Sequence, residues 1–118
     1  MTVVVKNPAD TIDAGLNMMK VAMIEDYAKF MPPKDDIRKK MYAEYVDNFT
    51  ITYGKKYIKI TEKEGGVKGF VVGVDNDKKF KKGDILMAAG YNAPARNKAR
   101  GNILDGGYNI NWTGPLYL

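Results

Sequence analysis

Arg96, Lys98 and Arg100 crowd into the segment YNAPARNKARGN, residues 91–102, set among small and amide side chains. A planar guanidinium fork and a nearby ammonium suit phosphate oxygens, so these three are the candidate phosphate or nucleic-acid contacts. Arg96 and Arg100 are two of only three arginines, Arg38 being the other, in a chain with sixteen lysines. Arginine used against that bias also fits a structural clamp on a carboxylate or carbonyl. The clamp is preferred, because a loop this long in a small domain must be fastened. If 95–100 forms a helical turn, the two arginines share a face, with Asp84 and Asp105 the nearest acidic partners in sequence.

Other chemistries are limited by missing residue types. The chain has no Cys, His, Ser or Gln. A Ser–His or Cys–His nucleophile pair is therefore impossible, and zinc, copper and haem lose their best ligands. Acid–base work would fall to Asp, Glu, Lys or Tyr, whose pKa values would have to move far. The expectation is a non-enzyme with no catalytic residues, no cofactor and no metal. DNDKKFKKGD, residues 75–84, has a superficial calcium-loop flavour through Asp75, Asp77 and Asp84, but the spacing of a calcium loop is absent and lysines interrupt it. The glycines around Lys68 match no phosphate-loop or dinucleotide pattern.

The net charge of +5 is lopsided. Residues 1–49 hold seven basic and eight acidic side chains, and residues 50–118 hold twelve and six. The basic half also contains most of the aromatics, among them Tyr53, Tyr57, Tyr91 and Trp112. Rings that stack on bases beside cations that meet phosphates make single-stranded nucleic acid a candidate partner. The same rings are equally what a small sheet needs for its core.

The elements that must position these groups are read from periodicity. Asp10 or Thr11 caps a first helix, in which Ile12, Leu16, Met19, Met23, Tyr27 and Phe30 form one apolar stripe. It stops at Met31-Pro32-Pro33. A second helix is expected from Pro33, with Asp35 and Asp36 in its first turn. From Phe49 the period becomes two. A hairpin follows around Gly54-Lys55-Lys56, then a turn at Glu64-Gly65-Gly66 and a third strand in VKGFVVGV. ILMAAGY reads as the fourth strand and YNINWTGPLYL as the last. Gly69 and Gly73 suggest a bulge or close packing under an aromatic ring. The fold class is α+β in one domain: an N-terminal helical hairpin over residues 1–48, packed on a small, curled, mainly antiparallel β-sheet or partial barrel over 49–118.

The first helix is apolar beyond its stripe. Met18 and Ala22 extend one flank, and Ile24 and Met31 the other. These four are the candidate oligomer interface, for which adaptable Met is well suited.

The segment GDILMAAGYNAPARNKARGNILD from Gly83, with GP-L-YL near the end, resembles small uncharacterised proteins of marine tailed phages. The resemblance covers mainly residues 83–118. It implies an origin rather than a mechanism, carries over no catalytic residue, and suggests that Gly83, Asp84, Pro94, Arg100, Gly101 and Asn102 form one structural element. The combined expectation is a membrane-free interaction protein, cytoplasmic (in the host cytoplasm or the virion if phage-encoded), acting by self-association or protein binding, or alternatively a nucleic-acid-binding accessory protein.

Overall fold

Thr11 opens the first helix: its hydroxyl accepts a hydrogen bond from Ala14 N at 3.1 Å, satisfying one of the orphan amides of the first turn. The computed structural model describes residues 3–62 and 66–115. After a short strand β1 (Val3–Val5), helix α1 runs Ile12–Phe30 and α2 runs Asp36–Asn48. Strands β2 (Phe49–Tyr53), β3 (Tyr57–Glu62), β4 (Val67–Val72) and β5 (Ile85–Leu86) follow. Then come β6 (Ala88–Gly90), β7 (Ala93–Pro94), β8 (Tyr108–Asn111) and β9 (Gly114–Pro115). The α+β class stands, with the helices first and all strand pairs antiparallel.

The strands form three small open sheets rather than one: β2-β3-β4-β5, β1-β8-β9 and the β6-β7 pair. The stripe of α1 lies across the first two. Leu16, Met19, Met23 and Tyr27 pack with Ile58, Ile60, Val71 and Ile85 from one sheet and with Tyr108 and Ile110 from the other. Each such side chain removed from water contributes about 1.5–3 kcal/mol. Because side chains alternate along a strand, β4 also has a second face. There Phe70 and Val72 join Leu86 and Phe80 in a smaller core beneath the connection from 73 to 84. A strand covered on both faces explains the apolar run Phe70-Val71-Val72.

Three local expectations are corrected. The second helix begins at Asp36 rather than Pro33, because the Asp35 carboxylate accepts from Arg38 N at 2.8 Å and makes Asp35 the N-cap. ILMAAGY is broken at Met87, so β5 pairs with β4 whereas β6 turns back onto β7. The last segment is a hairpin, β8-β9, turning at Trp112-Thr113, where Thr113 N donates to Asn111 Oδ1 at 2.9 Å. At Gly69 the expected bulge is present, because the β3–β4 register steps from Ile60–Gly69 to Thr61–Val67 and leaves Lys68 as the extra residue, and the ring packed against Gly69 is that of Pro115 rather than an aromatic. The expected turn at 64–66 and the tail from 116 fall on residues that include Glu64, Gly65 and Leu116 to Leu118, outside the described residues.

Candidate functional site

The 91–102 segment contains no helical turn among its described residues; it runs as β7 and irregular chain, with Ala99 packed against the second core. Arg96 and Arg100 therefore do not share a helix face. Arg96 instead donates from Nη1 and Nη2 to Asp77 Oδ2 and Oδ1 at 2.9 and 3.0 Å, a bidentate pair. Nη1 also donates to the Tyr57 hydroxyl. The guanidinium lies 5.0 Å from the Phe80 ring centroid, and Lys79 Nζ donates to the Arg96 carbonyl at 2.5 Å.

Asp77 is the hub of this cluster. Its carboxylate, shielded from solvent, also pairs with Lys56 at 2.9 Å and accepts from Lys79 N and Phe80 N at 2.8 and 2.9 Å. The Arg96 hydrogen bonds, followed by Phe80 N and Lys56, hold its pKa far below the usual carboxylate range. Asp77 in turn raises the pKa of Arg96, with Tyr57 adding to it. The acidic partner of Arg96 is thus Asp77, not Asp84 or Asp105, although both come nearer in sequence. Asp105 is taken by Lys81.

Asp84 belongs to a second node. Asn102 Nδ2 donates to Asp84 Oδ1 and to the Lys82 carbonyl, both at 2.9 Å, while Asn102 Oδ1 accepts from Leu104 N and Asp105 N. Arg100 N donates to the Ile85 carbonyl and Ile85 N to the Gly101 carbonyl, so residues 100–103 run beside 83–85 as a short ladder. Gly83, Asp84, Arg100, Gly101 and Asn102 are brought together; Pro94 lies apart, in β7 opposite Ala88. The Arg100 side chain donates from Nε to the Lys98 carbonyl at 3.1 Å. Lys98 is exposed, its backbone N–H bonded to Asn97 Oδ1.

No family model, curated protein or solved structure matches the chain. The assignment of a role therefore rests on the surface itself.

Of the four expected interface residues, Ala22 is corrected: it is buried in the chain's own core, because the helix flank it occupies faces the sheets. Met18, Ile24 and Met31 are half-buried and pack against that same core. Val21 is exposed midway along α1, and a group of uncovered apolar residues lies further on, at the corner between the helices. Phe30 is 54% exposed, Met41 37% and Ile37 74%. Only Tyr45 of α2 is buried, so Ile37 and Met41, four residues apart, present a free stripe. A periodic reading counts both as core; it has no signal for which side of α2 the sheet leaves open.

Beside that stripe is a concave pocket of about 330 Å³. Tyr27 and Tyr45 stack in parallel at 4.3 Å between centroids, Trp112 meets both edge-on, and Phe30 lies tilted 5.2 Å from Trp112. Glu44 and Glu62 complete the wall. Burial, then Glu62 and Glu44, pushes the Tyr27 phenol pKa up. Beneath, the buried Asp26 carboxylate accepts from Trp112 N at 2.9 Å and fixes the β8-β9 turn against α1. Among the described residues no group of three acidic side chains gathers as a metal site, and no helix is long and apolar enough to cross a membrane.

Proposed function

We propose that this chain is a non-enzymatic interaction protein that works by self-association through the α1–α2 corner. The observation that carries this reading is the exposure of Phe30 and Met41 on the wall of one pocket, with exposed Ile37 one helical turn from Met41. Single exposed apolar residues are ordinary, whereas a grouped patch beside a pocket is how contact surfaces look. The likeness of residues 83–118 to marine tailed-phage proteins supports a phage or marine-microbial origin and adds no mechanism. Light scattering at ~10–100 µM, the range of a weak interface, tests the reading. Mass should rise with concentration and fall to that of a monomer in Ile37→Asp. A wild-type monomer throughout would sink it.

A second reading, binding of single-stranded nucleic acid, is favoured by Tyr53 and Tyr91, which are 59% and 60% exposed on the basic half. It is weakened by the engagement of Arg96 with Asp77 and of Lys59 with Asn92 and the Tyr91 ring. Anisotropy of labelled oligonucleotides in a salt series decides it, since phosphate contacts are strongest at low salt. Absence of binding there removes it.

A further inference from the structure

We propose that the pocket at the C-terminal end of α1 receives an ammonium group, and that its occupant is the lysine-tipped β2–β3 hairpin of a second copy. The inference rests on the self-association reading and adds the chemistry of the contact.

The walls select for a cation. Four aromatic rings and two carboxylates, Glu44 and Glu62, surround the space, and among the described residues no basic side chain lines it. Ring faces attract an ammonium, the carboxylates add charge, and an anionic ligand is repelled by both. The same ring system already holds one ammonium from behind. Lys68 Nζ lies 4.8 Å from the Tyr45 centroid and 5.8 Å from that of Trp112, bonded to Glu62 at 2.9 Å and to the Trp112 carbonyl at 3.1 Å. That contact balances Glu62. Glu44 has no ion-pair partner among the described residues, so charge on the open side is uncompensated in a protein that is otherwise basic.

The hairpin supplies the complement. Gly54 N donates to the Tyr57 carbonyl at 3.0 Å, leaving Lys55 and Lys56 at the two tip positions. Lys56 is paired with Asp77, whereas Lys55 is exposed and has no ion pair among the described residues. The tip sits at the start of α1, where the Tyr53 hydroxyl donates to Asp13 at 2.6 Å. The pocket is at the far end of that 19-residue helix, which is ~28 Å long at 1.5 Å per residue. A chain cannot fill its own pocket. The contact is therefore heterologous and propagates head to tail.

Trp112, the only tryptophan, lines the pocket and reports its occupancy through its emission. The probe is a peptide copying residues 52–58, TYGKKYI, added to the full chain, beside the same peptide carrying norleucine at both lysines. The lysine peptide should shift the emission saturably, and the norleucine peptide should bind about tenfold more weakly, the loss of one desolvated cation–ring contact. Glu44→Gln should weaken the lysine peptide as well, and added salt should do the same. Equal binding by the two peptides, or no response to either, overturns the ammonium site. Light scattering of Lys55→Met separates the two layers of the argument. Unchanged association of that variant leaves the apolar corner standing and overturns the hairpin as occupant. A monomeric wild type that still binds the lysine peptide through Glu44 upholds the ammonium site and overturns the second copy.

Discussion

Arg96 and Asp77, nineteen residues apart, are joined by two parallel hydrogen bonds, and through them the 91–102 segment is tied to the connection that covers the second core. The pair couples two irregular stretches that otherwise have little regular structure of their own. Arg96→Ala and Asp77→Asn should each lower the melting temperature. The double variant should cost less than the sum of the two singles, because both remove the same ion pair while each also loses contacts of its own.

Asp77 also sets a pH signature. Its native pKa is depressed, so its stabilisation is complete above the unfolded value of about 3.9 and is lost as pH falls below that toward the native value. The gap in melting temperature between wild type and Asp77→Asn should therefore be constant from neutrality down to about pH 5 and close steadily below about pH 4. A gap that stays constant through the acid range would show that Asp77 is not held as an ion.

The pattern of legibility follows from distance along the chain. The α1 stripe, its proline stop and the Gly54 hairpin are local and readable, since period and turn chemistry act over a few residues. Asp77 was visible only as part of a lysine-broken acidic run. What makes it the partner of Arg96 is the folding of two loops over one sheet face, which no spacing encodes. The pairing of β1 with β8, which ties Val3–Val5 to Tyr108–Ile110, is likewise non-local. The uncovered side of α2 is illegible for a related reason: Ile37 and Met41 stand at the i, i+4 spacing of a core stripe with Tyr45, yet of the three only Tyr45 is buried. The closing hairpin was missed because Trp112-Thr113 is poor turn chemistry, rescued by the Asp26 bond to Trp112 N.

Gly101 tests how tightly the ladder to residues 83–85 is closed. Its φ is +141°, and a Cβ there would lie 2.4 Å from Tyr108 Cβ. Gly101→Ala should cost about 2–4 kcal/mol in chemical denaturation, combining backbone strain with a clash. Gly90→Ala, where a Cβ meets nothing within 4 Å, is the control and should stay within about 0.5 kcal/mol. Similar losses at both sites would contradict the packing described.

Asn102 satisfies four groups at once: Asp84, the Lys82 carbonyl and the N–H groups of Leu104 and Asp105. Asn102→Ala strands them in a buried place, and a loss of about 2–4 kcal/mol is expected from urea unfolding. Asn102→Asp should be at least as damaging at neutral pH, because two carboxylates then face each other. Part of that loss should return in acid as one of them takes a proton.

Tyr45 and Tyr108 are both buried phenols with opposite hydrogen-bond status. Tyr45 donates to the Trp112 carbonyl at 2.8 Å, whereas the Tyr108 hydroxyl has no partner among the described residues. Tyr45→Phe should cost about 1 kcal/mol, and Tyr108→Phe should be neutral or stabilising by up to about 1 kcal/mol. Burial raises both phenol pKa values, so the neutral forms stabilise the fold below the unfolded value of about 10 and that contribution is lost as pH rises above it. Each Phe variant should therefore lose less stability than wild type between neutral and strongly alkaline pH, followed by melting temperature. If Tyr108→Phe proved as costly as Tyr45→Phe, the Tyr108 hydroxyl would have to be making a hydrogen bond in the folded chain.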